Sequence, residues 1–119
     1  MAQTDIRVVD TDAVEHYVWG GNCHGWHLFK DAALGVIEEE MPPGASEVGH
    51  HHERAQQFFY VLSGEAVMLV EGVEYRLAAG KGIYIPAGRV HQILNRSSQQ
   101  VRFLVISQPH SHRDRVVAT

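Results

Sequence analysis

The stretch Gly44-Ala45-Ser46-Glu47-Val48-Gly49-His50-His51-His52-Glu53-Arg54-Ala55-Gln56-Gln57-Phe58-Phe59-Tyr60-Val61-Leu62-Ser63-Gly64 carries the densest chemistry of the chain. If residues 48–52 are extended, successive side chains alternate between faces, so His50 and His52 share one face and His51 takes the other. Two imidazoles so placed can converge on one ion at about 2.0–2.1 Å. A further strand begins near Gln57, and as an antiparallel neighbour it would set its first inward residue beside His50 and His52. A second stretch, Gly80-Lys81-Gly82-Ile83-Tyr84-Ile85-Pro86-Ala87-Gly88-Arg89-Val90-His91-Gln92-Ile93-Leu94-Asn95, has Pro86-Ala87-Gly88 as a tight turn with His91 just behind it. One more histidine at the mouth of a barrel would complete a three-histidine site.

Working outward, short β-rich runs are punctuated by glycine and proline. Strands are expected over 6–9, 16–19, 25–29, 34–41, 48–52, 57–62, 66–71, 73–77, 82–85, 90–94 and 101–106. Turn signals recur mostly every ~8–12 residues, the spacing of an all-β sandwich or barrel. Residues 11–15 can form one helical turn capped by Thr11 or Asp12. No sustained i, i+3, i+4 apolar pattern follows it.

The chain has 119 residues, 45% hydrophobic and 20% charged, which is one domain's worth of an ordinary globular composition. A net charge of −4 gives no basic excess for a phosphate backbone, so nucleic acid is not an expected partner. No apolar run approaches the ~20 residues that span a bilayer, and Met1-Ala2-Gln3-Thr4-Asp5 does not read as a signal peptide. The one cysteine, Cys23, cannot form an internal disulfide, and a cytoplasmic location is expected.

The two stretches resemble the paired motifs of the cupin superfamily. Gly44, His50, His52 and Gly64 fit the first motif over 44–64, and Gly80, Pro86, Gly88, His91 and Asn95 fit the second over 80–95. The resemblance implies a single all-β domain over 1–119, a double-stranded β-helix or jelly-roll barrel. It implies one divalent first-row ion, Ni, Zn, Mn, Fe or Cu, held by His50, His52, Gln57 and His91. It departs from the family at Gln57, where most cupins carry a metal-binding glutamate. The neutral amide brings no charge, so the ion would bind somewhat more weakly and remain a stronger Lewis acid. Glu53, the nearest carboxylate in sequence, follows His52 too closely to be a ligand and is an outer partner at most.

The expected activity is metal-dependent isomerase, lyase or cyclase chemistry on a small oxygenated organic molecule. The alternatives are a dioxygenase and a non-catalytic ligand-binding or sensor module. Dioxygenases of this family usually keep the glutamate, which in flavonol cleavage serves as base, and Gln57 cannot take a proton near neutral pH. No other residue identifies itself as a general base. The resemblance also implies a homodimer. Other residues read more plainly. His51 faces solvent, and His24 and His27 flank Trp26 in a strand or loop. His110 and His112 form a second His-x-His in a polar tail. Trp19 and Trp26 cover a barrel end or a subunit contact. Glu38-Glu39-Glu40 forms a mostly solvated edge, with Glu39 facing opposite to its neighbours. Arg54 and Arg89 lie at the surface near the motifs, where either could meet an anionic substrate.

Overall fold

Strand β5, Gln56–Ser63, shows why the chain folds in layers: Gln57, Phe59 and Val61 are buried while Gln56, Phe58, Tyr60 and Leu62 are exposed. A period of two in burial needs one packed face and one open face, and two such sheets face to face enclose a core. The computed structural model describes residues 6–111 and 114–118. Around β5, in chain order, lie β1 (His16–Trp19), β2 (Cys23–Lys30), β3 (Gly35–Met41), β4 (His50–His52), β6 (Glu65–Val70), β7 (Val73–Ala78), β8 (Gly82–Ile85), β9 (His91–Leu94), β10 (Val101–Gln108) and β11 (Arg115–Val117). No helix forms among the described residues, so none is long and apolar enough to cross a membrane.

The strands make two antiparallel sheets, β1-β2-β3-β10-β5-β8 and β11-β4-β9-β6-β7. Met41, Phe59, Val61, Phe103 and Val105 of the first sheet meet Ala66, Met68, Leu77 and Ile93 of the second in one buried cluster. The motif glycines act at the turns that hold this register. Gly64 has φ +81°, and a Cβ there would lie 2.5 Å from the Gln100 carbonyl oxygen, so only glycine lets β5 turn tightly into β6 beside β10. Gly88 has φ +85° and donates its N–H to the His52 carbonyl at 2.7 Å, tying the second motif's turn to the first motif's strand. Asn95 is buried; its Nδ2 donates to the Met41 and Gln99 carbonyls at 3.1 and 2.8 Å, so it closes the loop before β10 and does not face the histidines.

Several expectations change. Residues 6–9 form no strand; Ile6 and Val8 are fully exposed and have nothing to pack against. Residues 11–15 make a turn without a helix, anchored by Asp10, which accepts the Asp12 N–H on Oδ1 at 2.9 Å. The strand expected over 48–52 shortens to β4, and its neighbours are β9 and β11. The Gln57 strand is therefore not its neighbour but belongs to the facing sheet. The Glu38–Glu40 run is no edge: β3 lies between β2 and β10. Glu38 and Glu40 hold the Arg102 guanidinium, which stacks 4.9 Å above the Trp26 ring on the outer side. The polar tail contributes an unexpected strand, β11, which pairs Arg115 with His52 and Val117 with His50. His112 lies outside the described residues.

Candidate metal centre

His50 and His91 are directly opposite each other across β4 and β9, and His52 follows two residues on along the same face. One ring nitrogen from each lies within 4.8 Å of the other two, and all three side chains are buried. Gln57 of β5 lines the same cavity as His50 and His52, so the four predicted residues come from both sheets. His51, half-buried, takes the other face of β4.

Hydrogen bonds fix which atoms point inward. Nδ1 of His50 lies 2.9 Å from the Val48 carbonyl, and Nδ1 of His91 lies 3.0 Å from the Arg89 carbonyl. A carbonyl only accepts, so each Nδ1 carries the proton and each Nε2 keeps its lone pair. The Gln57 amide nitrogen donates to Ser107 Oγ at 3.0 Å, which leaves the amide oxygen for the site. His52 Nδ1, Gln57 Oε1 and His91 Nε2 are buried with no hydrogen-bond partner. Buried polar atoms almost always have one, so this set is incomplete as protein alone. Neutral imidazole nitrogen and amide oxygen suit a borderline divalent ion, and the residues fit such a group.

Burial pushes the His50 imidazole down to about 3 and that of His52 down to about 4, and it lowers His91 as well. All three are neutral near pH 7, with lone pairs free to donate. A cavity of about 350 Å³ opens beside them, lined by His50, His52 and Gln57 together with Tyr17, Trp19, Glu39, Glu47 and Arg115. Local sequence pattern does not place Glu39, Glu47, Arg115 or Tyr17 there. Glu39 follows from alternation along β3, but the cavity it faces depends on which sheet β3 joins. Glu47 Oε1 accepts the Ile93 N–H at 3.3 Å and lies 3.9 Å from His50 Nδ1. Burial raises Glu47 to about 8, helped by the like charge of Glu39. Burial also raises Glu39, to about 7, against the pull of the Tyr17 hydrogen bond and the Arg115 charge.

The remaining candidates sit elsewhere. Arg89 is exposed and bonded to Glu71 at 2.7 Å; neither it nor Arg54 lines the cavity, and Arg115 is the guanidinium that does. Glu53 is exposed, and its N–H donates to the Asp114 carbonyl. Asp114 fastens the segment before β11. Burial alone would raise its carboxyl, but the Ala55 and Arg54 N–H groups, at 2.8 and 3.0 Å, hold it below the usual range. His24 faces outward, its Nδ1 2.8 Å from His16 Nε2. His27 and His110 line an adjoining hollow that shares Tyr17, His52 and Arg115 with the main cavity. Cys23 is fully buried, and burial raises its thiol, which makes it inert.

These shifts set a pH profile for the metal-free chain. The histidines bind protons more readily unfolded, so their contribution is present above 6.5 and is lost as pH falls toward their folded values of about 3 and 4. Glu39 and Glu47 bind protons more readily folded, so theirs is present below 4.5 and is lost as pH rises toward about 7 and 8. Three histidines outweigh two glutamates below 6.5, and only the glutamates act above it. Thermal unfolding in chelator should therefore show a melting maximum near pH 6.5 with a fall on both sides. A flat profile between pH 4 and 8 would refute these environments.

Two facing antiparallel sheets with histidines at the mouth define a double-stranded β-helix with a centre that could hold a metal. The chain belongs to the cupin family: the Cupin domain model matches residues 37–107. It is 31% identical over 80 residues, 67% of this chain and 52% of the relative, to the tetracenomycin polyketide synthase protein TcmJ of Streptomyces glaucescens. It is 36% identical over 61 residues to quercetin 2,3-dioxygenase of Bacillus subtilis, covering 51% of this chain and only 18% of that protein. The fold superposes on polyketide cyclase RemF from Streptomyces resistomycificus with a TM-score of 0.82 at 22% identity, over 97% of this chain and 87% of that one. That likeness is one of fold.

Proposed function

We propose that the protein is a metal-dependent enzyme acting on a small oxygenated organic substrate by isomerase, lyase or cyclase chemistry. The carrying observation is the cluster of His50, His52 and His91 ring nitrogens within 4.8 Å of one another, beside an open cavity that His50, His52 and Gln57 line. His50, His52, Gln57 and His91 would hold one Ni, Zn, Mn, Fe or Cu ion. When bound, such an ion supplies Lewis acidity to a carbonyl, enol or hydroxyl oxygen. Four neutral donors leave its charge uncompensated by any ligand. Similarity to TcmJ, a polyketide synthase protein, supports an oxygenated organic substrate of this kind. The local identity to quercetin 2,3-dioxygenase favours a second reading, oxygen-dependent cleavage.

Elemental analysis of untagged protein, followed by oxygen uptake with flavonols, tests both. Near-stoichiometric metal without oxygen uptake supports the first reading, and metal with oxygen uptake supports the second. A chain that neither carries nor takes up a divalent ion removes both and leaves a ligand-binding module. We further propose a second copy of the chain as partner, covering the exposed Phe58, Tyr60, Leu62 and Tyr84. A one-chain mass in scattering at micromolar concentration overturns that.

A further inference from the structure

Gln57 cannot accept a proton near neutral pH, so a proton-transfer step in this cavity needs another group. The register supplies one. Tyr17 of β1 is paired with Gly25 of β2, and Gly25 is paired with Glu39 of β3, so the three form one row across the sheet. The Tyr17 ring lies over Gly25: a Cβ there would sit 2.2 Å from Tyr17 Cζ. The absent side chain lets the phenol reach past β2 and donate to Glu39 Oε2 at 2.5 Å. That hydrogen bond engages Oε2 and leaves Oε1 outside it. Tyr17 and Glu39 both line the cavity, from the sheet that faces the histidines. Arg115 lines it from β11 and makes no ion pair among the described residues.

We propose that Glu39 takes and returns a proton on a small enolisable oxo acid bound in this cavity, with Tyr17 and Gly25 as positioning residues. The inference rests on the function proposed above and names its substrate class. In the step, the C–H bond beside the carbonyl breaks and its proton goes to Glu39 Oε1. The C–H electron pair becomes the C=C bond as the carbonyl π pair moves onto oxygen. Return of the proton to carbon restores the carbonyl, and nothing is oxidised. Arg115 gives the substrate carboxylate a counter-charge. Burial places the Glu39 carboxyl near neutrality, where a group can both take and release a proton. Glu47, Tyr17, Arg115, His50 and His52 are the other charged or titratable groups that line the cavity with it, and the Cys23 thiol feels its charge.

The test uses the metal-loaded full chain with pyruvate as probe. Metal uptake is measured first, then pyruvate affinity by calorimetry, then exchange of the pyruvate methyl protons in D2O by proton NMR. Glu39→Gln keeps an acceptor for Tyr17 but no base. It should lower exchange by about 10²–10⁴-fold while metal content and pyruvate affinity hold. In the metal-free chain, carbon NMR follows the Glu39 carboxyl. Tyr17→Phe and Gly25→Ala should raise its titration midpoint alike, because each removes the hydrogen bond that pulls it down. Exchange by Glu39→Gln at the wild-type rate overturns the proposal, as does a loaded wild-type protein that exchanges no faster than the free ion. A midpoint that moves in Tyr17→Phe but not in Gly25→Ala overturns the positioning role of Gly25. Absence of metal uptake by the wild type removes the preceding functional reading as well.

Discussion

His91→Ala should leave the barrel folded but strip it of tightly bound divalent metal. The His91 imidazole is locked by its Nδ1–H to the Arg89 carbonyl, and its Nε2 is buried without a partner. Removing it deletes one of four donors and leaves His50 and His52 on one short strand. Second-sphere changes at metal sites already cost about 10–100-fold in affinity, so losing a ligand should cost at least about 100-fold. Elemental analysis after dialysis against chelator, read as metal per chain, measures this. A cooperative melting curve in the same sample separates lost ligation from lost folding. Unchanged metal content in a folded His91→Ala protein would refute the assignment of this site.

Ser107→Ala should weaken metal binding although Ser107 touches no metal. Its Oγ holds the Gln57 amide nitrogen and thereby decides that oxygen faces the histidines. Without that contact the amide can turn its NH2 toward a cation, and a loss of about 10–100-fold in affinity is expected. The decisive comparison is a double-mutant cycle with Gln57→Glu. A carboxylate presents oxygen at either end, so Ser107→Ala in that background should change affinity by less than about 3-fold. Gln57→Glu alone should tighten binding of hard divalent ions, because it adds a negative charge to a neutral donor set. Equal losses from Ser107→Ala in both backgrounds would make Ser107 a packing residue. No change in affinity for Gln57→Glu would place Gln57 outside the ligand set.

What the sequence showed of this arrangement was what short-range pattern can carry. Alternation placed His50 and His52 on one face, and glycine and proline marked the turns that bring His91 beside them. The long-range part was not legible. Gln57 arrives from the facing sheet, and no local pattern states which sheet a strand will join. Glu39 looked like part of a solvated acidic run because Glu38 and Glu40 are outward charges; the partner that removes them from an edge, Arg102, lies more than sixty residues away. Arg115 and Asp114 sat in a tail whose polar composition hid a strand. Their roles come from pairing with β4 and from capping the Ala55 and Arg54 N–H groups. Tyr17 could be found only through the glycine opposite it, and that relation exists only once the register of β1, β2 and β3 is known.

The placement of β10 sets the order in which these parts can come together. It lies between β3 and β5 at the middle of the six-stranded sheet, yet among that sheet's strands it is the last to be synthesised. Before residues 101–108 have left the ribosome, the hairpins carrying Tyr17 and Glu39 have no strand to join them to the one carrying Gln57. Ser107, the clamp on Gln57, arrives on that same strand. Closing such distant pairings late is slow, because the entropy of a long loop is lost before any contact rewards it. An ion that met the histidines before that strand is in place would find them without Gln57 held beside them by Ser107.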